Sequence, residues 1–166
     1  MFNKRIIFAA AAVTLMTGAA FAEPGDYKYQ EPSGTYSIVA FDPDTGELGV
    51  AVQSKFPNVR AVVPWARAGV GAVATQSFAR LDYGSDGLEL MARGASAREA
   101  LDILVRRDPG REQRQVGMVD ARGGAATWTG RECFAWAGAR IGQAAGIPAA
   151  VGPDAGVGAV VAGAGY

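Results

Sequence analysis

The chain has 166 residues, with 16 basic and 16 acidic side chains, one cysteine and no histidine. That charge balance leaves no electrostatic footprint for nucleic acid, and a single cysteine, Cys133, cannot form an internal disulfide. Without histidine, neither a Ser-His-Asp or Cys-His pair nor a Cys/His zinc site can be assembled, so a hydrolase built on this chain needs another base.

Residues 1–22 carry Lys4 and Arg5, then a mostly apolar run, then Ala20-Phe21-Ala22. This order is that of a secretory signal peptide cleaved after Ala22, and the run is shorter than the roughly 20 residues that span a bilayer. The expectation is a secreted or periplasmic protein with no stable membrane span. The remaining 144 residues suit one domain, with a formal charge of −2 once Lys4 and Arg5 are gone. Residues 23–34 are polar, include Pro24, Gly25 and Pro32, and read as a leader or linker.

The domain is expected over residues 35–141. Tyr36 to Phe41 and Leu48 to Val52 are apolar runs separated by DPDTG, a turn with Pro43 to fix φ and Gly46 to take a left-handed angle. Both strands are apolar on both faces, which predicts a sheet covered twice. Val62 and Val63 predict a strand ending at Pro64, and Val70 to Ala74 another. Ser85 or Asp86 can cap a helix through Leu88 and Met91 that stops at Gly94, and Ser96 to Glu99 form a capping box for a second helix through Leu101, Leu104 and Val105. Strands return at Gln115 to Asp120 and Ala125 to Thr129. Strands, two helices, then strands predict an α+β sandwich with the helices on apolar sheets. Residues 142–166, with 7 glycines and 8 alanines, show no periodicity; a tail or a truncated or frame-shifted end are the readings open for them.

The motif that carries chemistry is Gly34-Thr35, a hydroxyl residue at a strand start. A residue that begins a mature chain can use its own α-amine as base for its hydroxyl. That amine titrates near ~7.7 to 8.0, close to operating pH. The plain alternative is a β-branched residue opening a strand.

The stretches GTYSIVAFDPDTGELGVAVQSKFPNV, AVVPWARAGVGAVATQS, DPGREQRQVGMVDARGGAATWTG and CFAWAG together resemble the bacterial family called domain of unknown function ten-twenty-eight, which is similar to the N-terminal nucleophile (Ntn) hydrolases. The resemblance implies an αββα sandwich of antiparallel sheets between helices, incomplete here at its C-terminal end, and Thr35 as nucleophile. In many relatives the matching hydroxyl residue follows the initiator methionine; here signal cleavage would leave Glu23 first, so a second cut before Thr35 is needed. The resemblance also implies a basic group near the nucleophile, for which Lys55 and Arg67 are candidates. Oxyanion or substrate contacts would come from Gly71, Thr75 and Gln76. Surface charge for the two basic residues and tight sheet packing for Gly71 are the structural alternatives. Asp42 and Asp44 are accounted for by the turn, and Trp65, Trp128 and Trp136 as core or rim aromatics.

The function this implies is exported Ntn-type hydrolysis of an amide in a small molecule or peptide, with no cofactor and no metal. A non-catalytic cell-envelope module that binds a cell-wall component, or a truncated inactive remnant, is the alternative. Homo-oligomerisation stays open.

Overall fold

The computed structural model of the protein describes residues 34–134, 136–142 and 159–165. The expected signal peptide and all of the leader except Gly34 lie outside them. Among the described residues, eight strands form two four-stranded antiparallel sheets. In the first, β1 (Gly34–Phe41), β2 (Leu48–Ser54), β7 (Trp136–Gly142) and β8 (Ala159–Gly165) lie in the order β2-β1-β8-β7. In the second, β3 (Pro64–Arg67), β4 (Gly71–Ser77), β5 (Arg114–Asp120) and β6 (Ala125–Thr129) follow in chain order. Helices α1 (Asp82–Ala92) and α2 (Ala97–Arg107) sit between β4 and β5 in the chain.

The β1–β2 hairpin forms as the turn chemistry dictates. Asp42 Oδ1 accepts the Asp44 N–H at 2.9 Å, and Gly46 takes φ of 73°. Register runs from Phe41 opposite Leu48 to Thr35 opposite Ser54. The expectation of two covered faces does not hold for β2. It is an edge strand whose residues alternate between half-buried and exposed, with Gly49, Ala51 and Gln53 outward.

Alternation along the inner strands builds two cores. Val39 and Phe41 of β1 meet Ala72 and Ala74 of β4 and Val119 of β5 between the sheets. The opposite face of the second sheet, with Val73, Val116, Met118 and Ala126, takes the apolar stripes of the helices: Leu88 and Met91 of α1, Leu101, Leu104 and Val105 of α2. Full burial of each such side chain is worth about 1.5–3 kcal/mol. Among the described residues the layers are therefore helices, sheet, sheet.

Helix α2 begins as its sequence says, with Ser96 Oγ accepting the Glu99 N–H at 3.2 Å and Glu99 Oε2 accepting the Ser96 N–H at 2.8 Å. Asp120, at the end of β5, ties this start to the β5–β6 turn by accepting the N–H groups of Ala97, Arg122 and Gly124 at 2.8–3.0 Å.

Three further expectations are corrected. Helix α1 starts at Asp82 rather than after Ser85, with Asp82 as the acidic residue of its first turn and Gly84 beneath the Trp65 indole, where a Cβ would collide. Val62 and Val63 do not end a strand. They follow a 3-10 turn over Val59–Ala61, and Pro64 opens β3 instead, as an edge strand permits. Part of the glycine-alanine segment is not a tail: residues 159–165 form β8, hydrogen-bonded to β1 on one side and β7 on the other. Its backbone pairing on both edges does not depend on side-chain alternation, so the composition gave no strand signal.

Candidate functional site

Thr35 is the second residue of β1, and period-2 alternation turns it, with Ser37, Val39 and Phe41, toward the second sheet. Its hydroxyl lies 2.9 Å from Ser54 Oγ, its partner in register on β2. Ser54 Oγ also accepts the Phe56 N–H at 2.9 Å, and either hydroxyl of the Thr35–Ser54 pair can be the donor. The Thr35 carbonyl is held from the other sheet by Gln76 Nε2 at 2.9 Å.

Gln76 is the centre of a polar network within the sandwich. Its Nε2 also donates to Gln115 Oε1 at 2.9 Å, and its Oε1 accepts the Ser37 hydroxyl at 2.6 Å. Gln115 Nε2 in turn reaches Thr129 Oγ1 at 3.2 Å and the Gly138 carbonyl at 3.0 Å. Both glutamines are buried, at 1 % and 0 % exposure. Polar groups so deep cost free energy unless every donor finds an acceptor, so a satisfied network fixes one geometry. Here it stitches β1, β4, β5, β6 and β7 together around the Thr35 backbone.

Thr35 and Gln76 open onto a pocket of about 470 Å³. Its wall is apolar: Phe56, Val59, Val62, Val63, Phe78 and Leu81. Ser77 lines it as well, in a left-handed conformation with φ of 68°, a strained backbone for a serine worth about 1–2 kcal/mol. The Ser77 hydroxyl is shielded from solvent and has no hydrogen-bond partner among the described residues.

Arg114 is the only ionisable side chain among the described residues lining the pocket. Its Nη1 donates to the Phe78 carbonyl at 2.5 Å and its Nε to Asp108 Oδ2 at 2.9 Å, so the guanidinium fastens the pocket rim to the end of α2. Asp108 is 3 % exposed and also accepts from Arg80 Nη1, the Tyr83 hydroxyl and the Gly110 N–H. Burial by itself would raise the Asp108 pKa, but the Arg114 and Gly110 hydrogen bonds and the Arg114 charge outweigh it and hold the carboxyl below its ordinary value. Burial, reinforced by the Asp108 charge, pushes the Tyr83 phenol well above its ordinary range.

The residues singled out from the sequence separate. Thr35 and Gln76 meet at the pocket. Lys55 follows Ser54 at the end of β2, is exposed and is not part of the lining; the group from that strand end that reaches Thr35 is Ser54. Thr75 points to the helical side of its sheet, where its hydroxyl donates to the Arg80 carbonyl at 3.4 Å. Arg67 and Gly71 pair with each other at the far end of β4, five residues or about 17 Å from Gln76. Arg67 is exposed beside Glu89, at 3.4 Å. A Cβ on Gly71 would stand 2.6 Å from the Val119 carbonyl and 2.8 Å from the Met91 methyl, so that glycine serves close packing. Trp65 Nε1 donates to the Val62 carbonyl and Trp128 Nε1 to the Arg111 carbonyl, each ring packed against the helical core. Sequence reasoning missed Ser54, Ser77, Arg114 and the aromatic rim. The available signal was Ser77-Phe78, a hydroxyl and a large apolar residue placed where the strand pattern stops.

No curated protein matches the chain. Among solved structures, it is similar to the crystal structure of protein SPO2555 from Silicibacter pomeroyi, itself assigned to DUF1028, with a TM-score of 0.67 and 25% identity. The match covers 81% of this chain and 55% of that one, so this chain spans about half the length of that relative. The family model of DUF1028, a family of unknown function, matches residues 35–161, beginning on Thr35, and the chain belongs to that family.

Proposed function

We propose that this protein is an exported amide hydrolase of the N-terminal nucleophile type, with Thr35 as nucleophile once the Gly34–Thr35 peptide bond has been hydrolysed. The observation that carries the reading is the placing of the Thr35 hydroxyl at the polar end of a pocket whose lining, among the described residues, offers no carboxylate and no imidazole. Without the α-amine the pocket has no base; with it, base and nucleophile belong to one residue.

The chemistry balances without further groups. The freed amine takes the Thr35 hydroxyl proton as Oγ1 forms a bond to the substrate carbonyl carbon, and the Ser54 hydroxyl supports the oxygen. The C–N bond breaks as the same proton passes to the departing nitrogen. Water then attacks the ester, giving its proton to the amine, and the acid leaves with Oγ1 reprotonated. Gln76 contributes rigidity through the Thr35 carbonyl rather than a donor to the reacting oxygen, because its amide N–H groups already go to that carbonyl and to Gln115 Oε1.

The test is the N-terminal sequence and intact mass of the protein recovered from its host, followed by assay against acyl amides. A chain starting at Thr35 that hydrolyses an amide, and loses that activity in Thr35→Ala, supports the reading. A chain that stays intact through Gly34 and turns over nothing removes it, and leaves ligand binding in the same pocket as the function.

A further inference from the structure

We infer that the pocket is built for an uncharged, apolar acyl group, so that the molecule it takes is an amide of a hydrophobic acid, aliphatic or aromatic, and not of a dicarboxylic or amino acid. The inference rests on the functional reading above for the placing of the amide carbonyl at Thr35, and goes beyond it in naming the acyl part.

Three observations carry it. The first is apolar surface left in the open: Phe56, Phe78 and Leu81 are 57 %, 53 % and 50 % exposed, and all three belong to this one pocket. Large side chains half in water around a concave site are what a hydrophobic ligand covers. The second is the deeper wall of Val59, Val62 and Val63, which offers methyl groups and no donors. The third concerns charge. Arg114 is the one cation of the described lining, and its charge is already offset by the buried Asp108 carboxylate at 2.9 Å, while a second N–H goes to the Phe78 carbonyl at 2.5 Å. A substrate carboxylate would have to share the remaining N–H groups of that guanidinium with the Asp108 anion close by. A substrate cation is no better served, since among the described lining residues no acidic group is present to meet it. Apart from Arg114, the polar lining among the described residues is Thr35, Gln76 and Ser77, and that suits one amide group.

The test separates binding from turnover. The full chain carrying Thr35→Ala is titrated with phenylacetamide, acetamide and glutaramate, following amide and methyl NMR shifts. Phenylacetamide is expected to move the signals of Val62, Phe78 and Leu81 and to bind at least tenfold more tightly than the other two. Leu81→Ser and Phe56→Ser, both at exposed positions, should weaken phenylacetamide at least fivefold while leaving the ligand-free melting temperature unchanged. Equal affinity for all three amides, preference for glutaramate, or unaltered affinity in both serine variants overturns the inference. Selective phenylacetamide binding by a chain that never hydrolyses it keeps the inference and removes the catalytic reading. Turnover that favours glutaryl over phenylacetyl amides does the reverse.

Discussion

Replacing Gln76 by glutamate changes one atom pair, NH2 to O, at a position 1 % exposed. The wild-type amide gives its two hydrogens to the Thr35 carbonyl and Gln115 Oε1 and accepts from Ser37. A protonated glutamic acid can still accept from Ser37 and donate to one of the two oxygens, leaving the other without its donor at a cost of about 1–3 kcal/mol. An ionised glutamate can keep the Ser37 bond but has no donor for the Thr35 carbonyl or Gln115 Oε1, and it sets an anion against these two acceptor oxygens in a buried layer. Both burial and repulsion raise its folded-state pKa, by about 3 units for a group so enclosed, and at 1.36 kcal/mol per unit that adds about 4 kcal/mol. Because the folded pKa lies above the unfolded value near ~4.3, the variant fares best below that pH. It then loses stability as pH rises toward its folded pKa, near ~7, and stays level beyond it. Urea unfolding of wild type and Gln76→Glu between pH 4 and 8 measures this directly, with Gln76→Leu as a control expected to lose a pH-independent amount. A wild-type-minus-Glu difference that is flat across the range would refute the network as described.

Asp108→Asn removes the carboxylate that Arg114, Arg80 and Tyr83 share, and should cost about 3 kcal/mol in urea melts near neutral pH. Since the Asp108 pKa is held down in the folded state, its contribution is present above the unfolded value near ~3.9 and is lost as pH falls below it; the gap between wild type and variant should narrow on acidification. Gly71→Ala should destabilise by about 2 kcal/mol, since the new methyl meets the Val119 backbone. Any ligand affinity measured at the pocket should be retained in that variant, and loss of affinity with unchanged stability would return Gly71 to the site. Ser96→Ala removes the α2 cap and should cost about 1 kcal/mol, read as a drop of several degrees in melting temperature.

What the sequence disclosed about the fold was local. The β1–β2 turn, the Ser96 capping box and strand β6 depend on residues within a few positions of one another, and each formed within a residue or two of its expected limits. Elements set by distant partners were less legible. The first turn of α1 holds Gly84 against Trp65, a residue of strand β3, and β8 depends on strands on both flanks supplying its hydrogen bonds. The same division runs through the site. Thr35 was visible as a hydroxyl at a strand start, and Gln76 as one polar residue in a glycine-rich run. Their meeting across two sheets, and the arrival of Ser54 and Arg114 from other strands, are properties of topology that no spacing along the chain expresses.

The place of β8 sets an order of events. Gly34 and Thr35 stand opposite Gly165 and Ala164, almost the whole length of the domain away in the chain, and closing so long a loop is slow and entropically costly. Until the distal segment docks, β1 is an open edge with only its hairpin partner, and the bond between Gly34 and Thr35 lies at the unsecured end of that hairpin. During synthesis the second sheet and its two helices, which all lie between residues 64 and 129 and pair with one another there, can assemble before the first sheet can close. Any scission at Gly34–Thr35 therefore has two distinct windows: one while the strand end is still loose and open to a protease, and one after β8 has clamped it, when only a reaction within the folded protein would reach it. Timing the cut against folding would tell the two apart.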